Sequence, residues 1–311
     1  MPLTRNFACT ITITTTLALA TLAAHAQPKN EAPAAAPLVG MVDEACPPPL
    51  PLPAGFMQAA LLVIDPPTAD TPALKEQLAK DPELAVYNAT QKARDAQDLG
   101  QLCRYHEANK ALADKPPRAV FIGDSITELW AVADHDLFNG TLAAGRGIGG
   151  QTSAQMLLRF HADVVALHPR VVHILAGTND VAGNSGPTTP QNYKNNIVAM
   201  VEIARANGIA VVLGSIPPAK SFYWRPEIEA AARVAELNTW LADYARKQHL
   251  GYVDYYSALV RDGGLPGEFG NDGVHPNRVG LARMSVLARQ ALAEALAPPK
   301  AASKKKVRKT R

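Results

Sequence analysis

Four short stretches hold residue types that could do chemistry together: Gly123-Asp124-Ser125, Gly147-Ile148-Gly149-Gly150, Gly177-Thr178-Asn179-Asp180 and Asp272-Gly273-Val274-His275-Pro276. A serine hydroxyl attacks carbonyl carbon only when a neighbouring base takes its proton. Asp272 and His275 stand three residues apart, so the carboxylate can reach imidazole Nδ1, fix the tautomer and leave Nε2 free as that base. The bare backbone around Gly150 can approach a bound ligand, and the side-chain NH2 of Asn179 can point into the same cleft as Ser125. Jointly the four stretches supply every role that acyl transfer needs.

Each stretch also has a local explanation. Ser125 with Glu128 is a capping box at a helix start, Gly-Thr-Asn-Asp is ordinary turn composition, and Asp272-Gly273 followed by Pro276 is a turn running into a helix. Gly145, Gly147 and Gly150 satisfy the dinucleotide fingerprint G-x-G-x-x-G. Here, however, the run follows a second strand, and His168-Pro169-Arg170, about 20 residues on, offers no acid to a ribose. Ser125 lacks the second glycine of a G-x-S-x-G elbow, and the eight histidines lack metal-ligand spacing such as H-E-x-x-H, so neither an α/β-hydrolase elbow nor a metal centre is expected.

The elements that must position these residues follow from the hydrophobic pattern. Short apolar runs at 120–122, 141–144, 171–175, 209–213 and 251–254 read as strands. Helical spacing occupies 152–167, 192–206, 226–249 and 276–295. Strands alternating with helices predict an α/β fold with a parallel sheet covered on both faces, whose ligands lie at the carboxyl ends of the strands. The candidate stretches fall just after strands, and His173, inside one, reads as a packed core residue. The run 217–226, with Phe222, Tyr223 and Trp224, is either an aromatic wall in which Trp224 stacks on a sugar ring or part of the core.

Outside this body the chain changes character. Residues 1–26 read as a secretory signal peptide, with Arg5, an apolar run at 11–22 too short to span a bilayer, and Ala24-His25-Ala26 before the cut. Cys9 lies within that signal with no apolar run before it, which argues against lipid attachment. Residues 27–72 are Pro- and Ala-rich and linker-like, and 73–115 have the pattern of a helical extension. An exported chain that keeps only Cys46 and Cys103 is expected to pair them. The formal charge is +3, but setting aside Arg5 and the seven Lys or Arg of 300–311 leaves a body with five net negative charges. That balance does not suggest a nucleic-acid-binding fold. The tail, 299–311, reads as a disordered basic arm whose contact, if it has one, is a weak hold on an anionic envelope surface.

The four motif blocks resemble those of the SGNH (GDSL-type) hydrolases, in a subgroup similar to the platelet-activating-factor acetylhydrolase catalytic subunits. The resemblance runs from about 118 to 296, within a domain placed at 116–298. It implies a flavodoxin-like three-layer α/β/α sandwich with a five-stranded parallel sheet, and serine ester hydrolysis without cofactor or metal. Carried over block by block, Ser125 would be the nucleophile, His275 the base and Asp272 its orienting acid, with Ser125, Gly150 and Asn179 as oxyanion donors. The first block continues Ser-Ile where the family has Ser-Leu. The expected substrate is a small-molecule or glycan ester with a short acyl group, acetyl above all, met in the periplasm or outside the cell. A lysophospholipase or broad carboxylesterase is the nearest alternative, and a non-catalytic carbohydrate-binding envelope protein on the same scaffold the next.

Overall fold

A computed structural model describes residues 40–297, so the signal peptide expected at 1–26 and the basic tail at 299–311 lie outside the described residues. After a proline-rich approach come α1 (Ala54–Ile64), α2 (Thr71–Ala79), α3 (Pro82–Asp95) and the short α4 (His106–Lys110). The segment read as linker-like therefore contains a helix. Between Pro53 and Pro66 there is no proline, and the intervening AGFMQAALLVI is apolar enough to form a helix despite Gly55, ending with Ile64 fully buried in the main core. Asp81 caps α3 by accepting the Glu83 and Leu84 N–H groups, and Pro82 occupies the first helical position, which has no N–H to satisfy. A disulfide joins Cys46 to Cys103 with Cα atoms 5.2 Å apart, tying the approach to the segment just before α4.

The body then alternates β1 (Ala119–Gly123), α5 (Ser125–Ala133), β2 (Ala143–Gly147), α6 (Ser153–Asp163), β3 (Val171–Leu175), α7 (Thr178–Val181), α8 (Pro190–Ala206), β4 (Ala210–Gly214), α9 (Ala230–Gln248), β5 (Gly251–Val253), α10 (Tyr255–Leu259) and α11 (Arg278–Leu296). All pairings are parallel, in the order β2-β1-β3-β4-β5. The expected strands stand within a residue or two of their places except β2. That edge strand reads AAGRG, has no β-branched residue to announce it, and is fixed by its register on β1, with Ala143 opposite Ala119 and Gly147 opposite Gly123. The helix expected at 152–167 ends at Asp163 and continues as a separate 3-10 turn, Val165–Leu167.

Side chains alternate across the sheet with period two. Val120 and Ile122 of β1, with Val172 and Ile174 of β3, face Met156 and Phe160 of α6, Ile197 and Met200 of α8, and Leu237 and Leu241 of α9. Ala119, Phe121 and Val171 face Ile126 and Trp130 of α5 and Met284 and Leu292 of α11. Helices α5 and α6 thus lie on opposite faces although their strands flank one another, and the chain changes face between β1 and β3, where such sheets open a crevice. His173 lies in the core as expected, stacked 4.4 Å from the Phe121 ring with Nε2 2.9 Å from the Tyr255 hydroxyl. Burial pushes its pKa down to about 3, so it is neutral at any working pH.

Candidate active site

Ser125 is the first residue of α5, immediately beyond β1. Asp124 caps the helix, its Oδ1 accepting the Ile126 N–H at 2.9 Å. This disposes of the capping-box reading: Glu128 turns away from the helix start, accepting the Gly149 N–H at 2.9 Å and pairing with Arg104 at 2.8 Å. The helix can sit so close to β2 because a Cβ on Gly147 would lie 2.1 Å from the Glu128 nitrogen. Ser125 is left with its hydroxyl directed elsewhere, to His275 Nε2 at 2.9 Å, 150 residues along the chain.

The turn before α11 presents His275. Asp272 Oδ1 accepts the backbone N–H groups of Val274 and His275 at 2.9 and 2.8 Å, while Oδ2 faces His275 Nδ1 at 2.7 Å. Gly273 takes the left-handed conformation, φ +79°, that closes this turn. Asn277 caps α11, accepting the Val279 and Gly280 N–H groups, so the helix begins at Arg278 and not at Pro276 as expected. Burial alone would lower the pKa of His275. The adjoining Asp272 carboxylate outweighs it, with a smaller contribution from Asp124, and the net shift is upward. For Asp272, burial works to raise the pKa, but His275 and the two backbone N–H groups hold it below the usual carboxylate range. A carboxylate fixed on Nδ1 with Nε2 against a hydroxyl is an arrangement that can take a proton from Ser125.

Asn179 opens α7 after β3 and is almost fully buried. Its Nδ2 donates to the Gln151 carbonyl at 3.0 Å and to Asp124 Oδ2 at 3.3 Å, so the amide stands between the residue before Ser125 and the residue after Gly150. Asp124 is itself buried, which pushes its pKa up to about 6. Gly150 has φ +79° and open space where a Cβ would be, while the Cβ position of Gly149 is 3.8 Å from that of Ser125. The loop after β2 therefore flanks the serine. Asp180 serves α6 instead, accepting the N–H and hydroxyl of Ser153.

Trp224, after β4, is half-buried, with its ring centroid 6.3 Å from that of His275 and Tyr223 packed edge-on against it. The link between this wall and Asn179 is a residue that sequence reasoning passed over. Asn184 accepts the Trp224 indole N–H at 3.0 Å and donates to Asn179 Oδ1 at 2.6 Å, which leaves the Asn179 NH2 on the Asp124 carboxylate and the Gln151 carbonyl. In Gly183-Asn184-Ser185-Gly186 it has the composition of a plain loop, and only its tertiary partners set it apart. Among the described residues, Glu44, Cys46 and His106 gather ligand-type atoms within 4.8 Å of one another, but the Cys46 sulfur is in the disulfide, so the cluster lacks a thiolate.

Residues 121–283 match the model of the GDSL-like Lipase/Acylhydrolase family. A GDSL-like lipase from Bacteroides thetaiotaomicron superposes with a TM-score of 0.61 at 42% identity, covering 63% of this chain and 99% of that one. Platelet-activating factor acetylhydrolase IB subunit alpha1 from Bos taurus is 33% identical over 129 residues, 40% of this chain and 53% of its own length. The uncharacterized lipoprotein YqeF of Bacillus subtilis is 36% identical over 75 residues, 23% of this chain and 31% of its own. The chain thus spans about half or less of these two curated relatives. With the family model covering more than half of the chain and a sheet of the same architecture carrying the motif blocks at its carboxyl edge, the chain belongs to the GDSL-like lipase/acylhydrolase family of enzymes.

Proposed function

We propose that this protein is an exported serine esterase that removes short acyl groups, acetyl above all, from alcohol or glycan esters. One observation carries the reading: Ser125 Oγ stands 2.9 Å from His275 Nε2 while Asp272 Oδ2 stands 2.7 Å from His275 Nδ1. His275 takes the Ser125 proton as Oγ attacks the ester carbonyl, and Asp272 stabilises the resulting imidazolium. The oxyanion is received by the backbone N–H of Ser125, which as a first-turn helix residue has no intrahelical acceptor, by the N–H of Gly150, and by Asn179. Asn179 has its longer hydrogen bond, 3.3 Å, on Asp124, and that N–H is the one available to turn onto the substrate. The imidazolium then protonates the departing alcohol, and water cleaves the acyl-serine by the same steps in reverse.

The acyl preference is supported by the wall beside the base, where the Trp224 ring centroid stands 6.3 Å from that of His275 and Tyr223 packs on Trp224, and by the bovine relative's being named an acetylhydrolase. Export is supported by the basic-then-apolar leader, the Cys46–Cys103 disulfide and the lipoprotein relative. Among the described residues, no helix is long and apolar enough to cross a membrane. Turnover of p-nitrophenyl acetate, butyrate and octanoate tests the preference. The expected result is kcat/KM highest for acetate and lowest for octanoate. A maximum at octanoate would replace this reading with a lipase or lysophospholipase.

A further inference from the structure

We infer that the segment 99–109 of the N-terminal extension is a strap that sets the position of the loop 147–151, and through it the oxyanion-binding half of the site. The inference rests on the esterase reading only for its catalytic consequence. The family match begins at residue 121, so the strap lies outside it.

Glycines give the loop the freedom to approach a substrate, but they supply no side chains to anchor it, and an unanchored glycine run samples many conformations. The body holds part of it, with the Ile148 N–H donating to the Gly123 carbonyl at 3.1 Å and Arg159 Nε donating to Gln151 Oε1 at 2.6 Å, and the extension holds more. The Tyr105 hydroxyl donates to the Gly147 carbonyl. The Gly149 N–H donates to Glu128 Oε2 at 2.9 Å, and Arg104 holds the other oxygen of that carboxylate at 2.8 Å. Gln151 Nε2 reaches back to the Gly100 carbonyl at 3.2 Å. Three successive parts of the loop are thus held directly or through one carboxylate by the extension. The same carboxylate lies on the first turn of α5, three residues beyond Ser125, so Arg104 bears on both nucleophile and loop. Arg104 directly follows Cys103, whose disulfide to Cys46 ties this stretch to the start of the extension. Asn109 adds a second attachment, accepting Arg146 Nε at 2.8 Å and donating to Asp163 at 2.7 Å.

Donors for an oxyanion act only when held within tenths of an ångström of their working positions, so loosening the loop should reduce kcat and leave substrate binding nearly intact. Arg104 and Tyr105 are positioning residues, since neither touches the reacting atoms. The test uses the full chain and four variants, Arg104→Ala, Arg104→Lys, Tyr105→Phe and the pair Cys46→Ser with Cys103→Ser, read by amide hydrogen exchange over 147–151 and by p-nitrophenyl acetate turnover. Arg104→Ala should exchange faster in that loop and lose about tenfold in kcat with KM within about twofold, and Arg104→Lys should recover part of both. Tyr105→Phe, which removes one hydroxyl from a residue otherwise unchanged in shape, should move both readouts the same way to a lesser degree. Severing the disulfide should do so as well. Unchanged exchange in Arg104→Ala and Tyr105→Phe would overturn the strap whatever the activity. Faster exchange with undiminished kcat would overturn its catalytic consequence. If the wild type fails to hydrolyse any ester, the esterase reading falls, and exchange alone still decides whether the strap holds the loop.

Discussion

Replacing Asp272 by Asn changes one atom in the site and reverses the chemistry of the imidazole. Asp272 Oδ1 accepts two backbone N–H groups, so an asparagine would keep its carbonyl oxygen there and place its NH2 where Oδ2 now faces His275 Nδ1. Two donors would then meet, and the ring would move its proton to Nε2, against Ser125, where a base is required. The size of the loss can be worked from the pair itself. With charge centres about 4 Å apart and an effective dielectric near 20, the attraction between Asp272 and an imidazolium is about 4 kcal/mol, or roughly 10³ in rate. The wrong tautomer brings the expected loss in kcat to about 10³ to 10⁴. The same substitution removes the group that raises the pKa of His275, so the acid limb of the residual activity should move to lower pH. The assay is kcat and kcat/KM for p-nitrophenyl acetate from pH 5 to pH 9, with circular dichroism to show that the fold persists. A loss under tenfold, or an acid limb that stays in place, would refute the pairing of Asp272 with His275 as a catalytic one.

Other outcomes follow from the same geometry. Asn179→Ala removes an amide donor beside Ser125 and should lower kcat by about 10² to 10³ with little change in melting temperature, as steady-state kinetics and thermal unfolding will report. In the wild type the sign of the His275 shift is upward, so the base becomes available only above the ordinary histidine value of 6.5; kcat/KM should climb with pH to a half-maximum above that value, and a half-maximum below it would contradict the Asp272 effect. Asn184→Ala frees both the Trp224 indole N–H and Asn179 Oδ1, so KM should rise and kcat should fall, each by about tenfold, whereas a purely structural loop residue would alter melting alone. Trp130, fully buried among Phe121, Phe138 and Tyr255 with its N–H on the Ser285 hydroxyl, should cost about 3 to 5 kcal/mol as Ala in urea unfolding.

How much of this was legible without coordinates depended on whether the information was local. The central strands β1 and β3 stood out because they are buried on both faces and so read as near-continuous apolar runs, broken in β3 by His173, whereas β2 is an edge strand of small residues and Arg146, held in place by β1. The Asp272–His275 relation was visible because the two residues share one turn. Ser125 and His275 were brought together by the resemblance of the motif blocks and by the placement rule for parallel sheets, which holds for Ser125 just after β1, whereas Asp272 and His275 lie beyond α10 instead of directly after β5. The capping-box reading of Ser125 failed because Asp124, one residue earlier, is the better cap and leaves Glu128 to Gly149 and Arg104. Asn184 and the attachment of Arg104 and Tyr105 carried no signal in the sequence: an asparagine in a glycine-rich loop and an Arg-Tyr after a cysteine have ordinary surface readings until their distant partners are known. The helix at 54–64 was hidden by the composition of its surroundings, since the prolines around it dominate any window that includes them.

The most direct measurement is the reaction of the intact protein with a fluorophosphonate probe, followed by mass spectrometry of the labelled peptide. A serine activated by His275 should be phosphonylated at Ser125 alone, with labelling abolished in Ser125→Ala and lowered by at least about 10³ in His275→Ala. Absence of labelling in the wild type, or labelling that survives in either variant at the wild-type rate, would contradict a catalytic Ser125–His275–Asp272 triad.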